Sequence, residues 1–414
     1  MFFYSYKNKI LISNQQSVHF KKVSEDHVKN SPEALYLLHS LNPKKSRRRF
    51  SVTDPSLAFL QEEGIHLLQQ PIETEYELPQ WLTSKIMEGK VTAINTAYPN
   101  WQNALDYIHP QKWRIHVVGL GDVGGILVTG LRLLGGDAIS QIGIYNKDKN
   151  SLKRWEFETN QILPAFHTQT YPDVNSITED EIFDCDLFIF SASVGVPPIG
   201  QENKDVRMIQ FEGNARILRH YAKLAREKNF QGIFAVVSDP VDLLCKEAFL
   251  QSNTNHEGEM DFQGLSADQI RGYGLGVMHA RAAYYAKKDA RTHHYLTEGR
   301  AFGPHGEGLI IADSIKNYND ELSTYLTEKT KKANLDVRAT GFKPYIAPAL
   351  SSGTLSIMAT ITSSWHYSTT FMGGVFMGSK NRFTPTGTEI ERLILPDLLF
   401  DRIKNTFERL ESIL

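Results

Sequence analysis

Gly119, Gly121 and Gly124 have the spacing GxGxxG, between the strand-like run RIHVV and an apolar helical pattern. Each glycine has a physical use there. The first permits a tight turn, the second lets backbone approach a pyrophosphate, and the third lets helix and strand pack closely. The helix opening at Asp122 and Val123 then offers unpaired N–H groups and the positive end of its dipole to phosphate. The spacing predicts a dinucleotide site built from Gly119, Gly121, Asp122, Val123 and Gly124. Ser191, near the end of the run DLFIFSAS (186–193), is grouped with them. An acid about twenty residues further on would bind the ribose hydroxyls. The next strand runs instead into Asn146, followed by Lys147, Asp148 and Lys149. Asn146 can hydrogen-bond a hydroxyl but does not repel a 2′-phosphate, so NAD is expected and NADP stays open.

Two other features invite chemistry. His305 stands in Gly303-Pro304-His305-Gly306, and a histidine between glycines reads as functional more readily than as core. The stretch KKSRRRF (44–50) has an anion-binding reading, but as one short run after Pro43 it is expected to be a solvated loop.

The elements that would position these residues fall into a clear pattern from residue 113 onward. RIHVVGLG (114–121), QIGIY (141–145), DLFIFSAS (186–193) and GIFAVVSDP (232–240) read as buried strands, with helices over 122–134 and 207–228 between them. The first helix carries Val123, Ile126, Leu127, Leu131 and Leu134 on one side. Strand–helix alternation predicts an α/β fold with a Rossmann-type doubly wound parallel sheet. A last helix after Pro396 carries Leu399, Ile403, Phe407, Leu410 and Leu414 on one stripe, for a core or a subunit interface. The first 112 residues read as a small mixed module of unknown role. FFYSY and ILIS are expected as strands, and 33–41 and 55–64 as helices.

Length and composition bound the rest. A chain of 414 residues is expected to hold two or three domains. With 41% hydrophobic and 22% charged residues it is an ordinary globular mix, not a disordered or fibrous one. Its 45 basic and 47 acidic residues leave a net of -2, which asks for no nucleic acid. The basic residues concentrate in 1–50, and 51–112 is acidic. Cys185 and Cys245 provide no disulfide framework, as suits a reducing compartment. No apolar run reaches membrane-spanning length, and Lys7 and Lys9 interrupt the N-terminus before a signal peptide could form. A cytoplasmic protein with a small-molecule substrate and no membrane partner is expected.

Over residues 113–414 the chain resembles the lactate/malate dehydrogenase family. The likeness rests on WRIHVVGLGDVGG, VRMIQFEGNARILRHYAK, VVSDPVDLL, GYGLGVMHARAAYYA, AFGPHGEG and the closing VFMGSKNRFTPTGTEIERLILPDLLFDRIKNTFERL, in that order. The resemblance implies a dinucleotide-binding domain over 113–266 and an α+β substrate and oligomerisation domain over 267–414, after an additional small domain over 1–112. It implies hydride transfer between a nicotinamide and a 2-oxo or 2-hydroxy acid, in a homodimer or homotetramer. His305 falls on the family's acid/base histidine and Arg281, ending MHAR, on its carboxylate-binding arginine. Arg207 falls on the loop arginine that polarises the carbonyl, behind a lid-like segment at 195–200. Ser351 and Ser352 fall near the substrate wall, with a helix cap as the alternative.

Two positions depart from the family pattern. The aspartate that should pair with the histidine, three residues before the arginine, is Met278, which cannot stabilise an imidazolium. The family's SNP motif reads Ser238-Asp239-Pro240. Either Asp239 replaces the missing partner of His305, or it binds a cationic group on a different substrate. The stretch 194–201 lacks the arginine that malate-type enzymes use for a second carboxylate, which disfavours a dicarboxylic acid. Two other readings stand beside the dehydrogenase. One is a catalytically altered dinucleotide sensor. The other is an NAD- and metal-dependent glycosidase-like hydrolase, for which His279, His293 and His294 raise the question of a metal. No cysteine lies in a matching motif, and no metal is expected.

Overall fold

The computed structural model describes residues 1–71, 78–165, 170–194 and 206–413, the side chains of 206–209 excepted. Two large sheets organise it. The first uses β1 (Phe2–Tyr6), β2 (Lys9–Ser13), β3 (Lys21–Lys22), β4 (Leu35–His39), β5 (Arg49–Ser51) and β6 (Val91–Asn95), in the order β3-β1-β2-β4-β6-β5. Helices α1 (Glu25–Lys29) and α2 (Gln80–Met87) accompany it.

The expected strands FFYSY and ILIS are β1 and β2. The helix expected over 33–41 is instead the strand β4. Leu35 and Leu37 enter one core and Tyr36 and Leu38 another, on the opposite face of the sheet. A strand covered on both faces is apolar without alternation, and so cannot be told from a buried helix by periodicity. The helix expected over 55–64 shrinks to one 3-10 turn, Pro55–Phe59, capped by Asp54.

The second sheet has nine strands. Six are parallel: β7 (Trp113–Val118), β8 (Ile139–Tyr145), β9 (Asp173–Ser176), β10 (Leu187–Phe190), β11 (Ile233–Val236) and β12 (Ile270–Gly272), in the order β9-β8-β7-β10-β11-β12. This is the doubly wound order, with its reversal between β7 and β10. Helices α3 (Asp122–Leu134), α4 (Lys149–Asn160), α5 (Val206–Glu227) and α6 (Val241–Asn253) connect these strands. On α3 the buried apolar positions are Leu127, Val128 and Leu131, whereas Leu134 is exposed.

Beyond β12 come α7 (Leu275–Ala286), α8 (Tyr295–Glu298) and the hairpin β13 (Arg300–Phe302) with β14 (Ile310–Ala312). Next are α9 (Asp320–Arg338) and α10 (Leu355–Ile361). The strands β15 (His366–Met372), β16 (Val375–Thr384) and β17 (Gly387–Ile390) extend the large sheet antiparallel from β12. Helix α11 (Asp397–Glu411) closes the chain.

Residues 1–112 are not an appendage. Ile12, Leu37, Phe50 and Leu82 share one apolar core with Met377, Leu399, Ile403 and Phe407, so the stripe on α11 serves a core. The arginines of the basic run lie in this junction and overturn the solvated-loop expectation there, whereas Lys44 and Lys45 are exposed as expected. Arg47, Arg48 and Arg49 are 3, 4 and 7% exposed. The Arg47 guanidinium meets the buried Glu63 carboxylate at 3.0 Å. Arg48 donates to Asn100 and Gln269. Arg49 lies 4.0 Å from the Tyr107 ring centroid and donates to the Pro385 carbonyl. A charge run reads as solvated only while its partners are distant in sequence and unseen.

Candidate functional site

Because β7, β10, β11 and β12 are parallel, the segments that follow them emerge at one sheet edge. The turn after β7 is shaped by its glycines. Gly119 adopts φ +95°, and a Cβ there would stand 2.5 Å from the Ala192 nitrogen. A Cβ on Gly124 would stand 1.9 Å from the Gly119 carbonyl oxygen, so strand and helix approach as closely as they do only with glycine. At Gly121 a Cβ would meet nothing within 4 Å. No side chain caps α3 at Gly121, which leaves the first-turn N–H groups to a ligand. The turn therefore has a cradle of the kind a pyrophosphate fills. The Asp122 carboxylate pairs with Lys343 at 3.5 Å.

Ser191 lies behind this turn. Its hydroxyl is nearly buried, 3.0 Å from the Val118 carbonyl and 2.8 Å from that of Gly119, and it holds the bend. Asn146 follows β8, and its amide donates to the Ser151 hydroxyl at 3.2 Å. Asp148 caps α4 through the Asn150 and Ser151 N–H groups, so part of the charged turn serves the helix.

The segment after β11 brings Asp239 to the same edge. Asn214 on α5, fully buried, donates to the Asp239 carbonyl at 2.6 Å and accepts from the Val194 N–H at 2.9 Å. The Ser238 hydroxyl donates to the Ala192 carbonyl at 2.7 Å. The Asp239 carboxylate lies 2.9 Å from Nδ1 of His305, its side chain 46% exposed against 16% for the imidazole.

His305 is carried by the loop between β13 and β14, with Gly303 at φ +90° and Gly306 at φ +132°. Its backbone N–H donates to Asp242 at 3.1 Å, and the other oxygen of Asp242 accepts from the Thr369 hydroxyl at 2.7 Å. Asp242 is 5% exposed. Burial pushes its carboxyl up to about 6, against the opposing effect of these hydrogen bonds. Asp242 escapes a sequence reading because an acid in a helix's first turn reads as a partner of the dipole. Asn214 marks a family motif in the sequence but its contact with Asp239 is not signalled there, and Thr369 carries no signal.

Helix α7 begins against the imidazole, since a Cβ on Gly274 would stand 2.8 Å from Cβ of His305. Met278 follows one turn later and is buried in an apolar cluster with Leu275, Ala282 and Tyr295. Arg281 is half-buried and donates to the Met278 sulfur at 3.7 Å. Burial lowers its guanidinium, and the charge of Asp239 opposes that shift. The Ser352 hydroxyl accepts from the Val277 N–H at 2.8 Å and donates to the Gly274 carbonyl at 2.9 Å, capping α7 from outside it. The cap alternative thus fits Ser352, though on another helix. Ser351 belongs to the π-helical turn Pro348–Thr354, and its carbonyl accepts from Ser356 at 2.9 Å.

Arg207 is on α5, but its side chain lies outside the described residues, as does the whole segment 195–200. His294 pairs with Asp313 at 2.9 Å and His279 with the Tyr295 hydroxyl at 2.8 Å. Among the described residues no group of three His, Cys, Asp or Glu side chains is arranged to hold a metal. Among them, too, no helix is long and apolar enough to cross a membrane.

No family model matches the chain. L-lactate dehydrogenase of Treponema denticola is 25% identical over 205 residues, covering 50% of this chain and 58% of that protein. L-lactate dehydrogenase 2 of Staphylococcus aureus is 24% identical over 151 residues, 36% and 42% of the two. A lactate dehydrogenase from a Medee basin deep-sea metagenome library superposes with a TM-score of 0.59 at 17% identity, over 73% of this chain and 98% of that one. The chain is a divergent relative of the lactate/malate dehydrogenase family. Malate dehydrogenase from Archaeoglobus fulgidus, solved in complex with NADH, has the same fold, with a TM-score of 0.57 at 15% identity over 72% and 97% of the two chains. The match to the curated lactate dehydrogenases spans about half of their length. The lactate/malate dehydrogenase fold accounts for close to three quarters of this chain.

Proposed function

We propose that this chain is an NAD-dependent oxidoreductase acting on a 2-oxo or 2-hydroxy acid, with His305 as its acid and base. The observation that carries the reading is the 2.9 Å approach of the Asp239 carboxylate to Nδ1 of His305. A carboxylate there holds the proton on Nδ1, turns Nε2 toward the substrate oxygen, and stabilises the imidazolium when that ring takes up a proton. Asp239 thus does from the strand end what the family's aspartate does from the position of Met278. In this reading Arg281 grips the substrate carboxylate through the fork of its guanidinium. Arg207 polarises the carbonyl from the neighbouring helix, and Ser351 lines the substrate wall.

The dinucleotide would lie along Gly119, Gly121, Asp122, Val123 and Gly124, with Asn146 at the ribose. When bound it supplies or accepts the hydride. Ser191 supports this site from behind. NADP is the alternative, since Asn146 brings no negative charge to repel a 2′-phosphate. A single-carboxylate acid is preferred over a dicarboxylic one.

A cofactor-coupled absorbance screen of 2-oxo acids, with NADH and NADPH in parallel and a His305→Ala variant beside the native chain, tests this. Turnover of a monocarboxylic 2-oxo acid that the variant loses is expected. Turnover that survives the substitution contradicts the mechanism.

A further inference from the structure

The N-terminal sheet has a crevice of its own. β2, β4 and β6 are parallel neighbours, so Ser13, His39 and Asn95 end at one edge. A cavity of about 690 Å³ opens there. Open α/β sheets bind ligands outside the carboxyl ends of parallel strands, and this volume is within the usual range for small molecules. None of the residues assigned above to dinucleotide or substrate lines it.

Its chemistry is narrow. Among its twenty lining residues there is no Asp, Glu, Lys or Arg, although such residues make up 22% of the chain. A phosphate, carboxylate or ammonium group would find no ammonium, guanidinium or carboxylate partner in this lining. Of its two histidines, His39 adds no charge at neutral pH, because burial pushes its imidazole down to about 4, and His19 is exposed to solvent. Five carboxamides, among them Gln16 and Gln102, and five hydroxyls supply most of the polar groups; Asn14 donates to the Ala58 carbonyl and Gln61 to that of Phe59. Gln102 is half-buried, and neither it nor Gln16 uses its carboxamide on another described residue. One wall is aromatic: the Phe20 and Trp101 rings stand edge to face at 6.1 Å, with Tyr6 5.4 Å from Phe20.

Carboxamides donate and accept side by side, which matches the edge of a heterocyclic base, and aromatic rings stack on its face. We propose that this crevice is a second ligand site, for a nucleobase or an unphosphorylated nucleoside. It is independent of the dehydrogenase reading.

The test is calorimetric titration of the full chain with adenosine, guanosine, cytidine and uridine under saturating NADH, which keeps the adenosine half of a dinucleotide site filled. At least one nucleoside should bind saturably. Gln102→Ala should weaken it about tenfold or more, and the matching 5′-monophosphate should bind at least about tenfold more weakly than the nucleoside. Gly121→Ala should leave this binding unchanged, which separates the crevice from the Gly119 turn whether or not NADH binds. Absence of binding by all four, equal affinity for the monophosphate, indifference to Gln102→Ala, or binding of neutral monosaccharides in place of nucleosides overturns the proposal.

Discussion

The carboxylate of Asp239 faces Nδ1 of His305 across 2.9 Å, although one follows β11 and the other lies in the β13–β14 loop, 66 residues further along the chain. Gly274 makes the meeting sterically feasible by leaving room for Cβ of His305 at the start of α7. The same helix buries Met278 in an apolar cluster, its sulfur accepting from Arg281, and sets Arg281 within Coulombic reach of Asp239. One carboxylate therefore serves an imidazole and a guanidinium.

Arg281→Lys keeps the charge and loses the planar fork. Its cost should fall on KM for the 2-oxo acid, raised about 10- to 100-fold, as expected for a charged hydrogen bond worth about 1.5–3 kcal/mol. Steady-state kinetics on the acid found in the screen measures it.

Gly121→Ala separates binding from folding. Its Cβ would enter open space and the native φ is -76°, so stability should change by less than about 0.5 kcal/mol. NADH affinity, read by fluorescence titration, should fall about tenfold or more, because the methyl group occupies the approach to the phosphates.

Asp242 should make stability depend on pH. Its folded value of about 6 lies above the ordinary 3.8, so the native state holds more protons than the unfolded chain between these limits. Its burial then costs stability progressively as pH rises through that window. Asp242→Asn, which cannot ionise, should gain relative to the native chain between about pH 4 and 7, by up to about 3 kcal/mol. Urea unfolding at several pH values checks the sign and the window.

Much of the doubly wound sheet was legible because its signals are local. The glycine spacing, the short apolar strands and the helix after Gly121 each declare themselves within a few residues. Leu35–Leu38 misled because a strand buried on both faces loses its alternation. Arg47–Arg49 misled because Glu63, Gln269 and Pro385, which satisfy them, are distant in sequence. His305, Asp239 and Arg281 could be named from motifs, yet their meeting depends on Asn214, Thr369 and Asp242, whose roles exist only after folding.

Glu63→Gln tests the junction between the N-terminal sheet and the rest. It leaves Arg47 buried beside a neutral amide, and removal of one partner of a buried pair costs about 3–5 kcal/mol. The urea midpoint should drop accordingly. An unchanged midpoint would show that Arg47 finds another partner.

The central claim is tested most directly by kcat/KM for NADH-dependent reduction in the native chain, Asp239→Asn, and Asp239→Asn combined with Met278→Asp. The single variant should lose about 10²- to 10⁴-fold, since the carboxamide can accept from the imidazole but cannot stabilise its charged form. The double variant, which restores the family's arrangement, should recover part of that loss. Native-like kcat/KM in Asp239→Asn alone would contradict the assignment of Asp239 as the partner of His305.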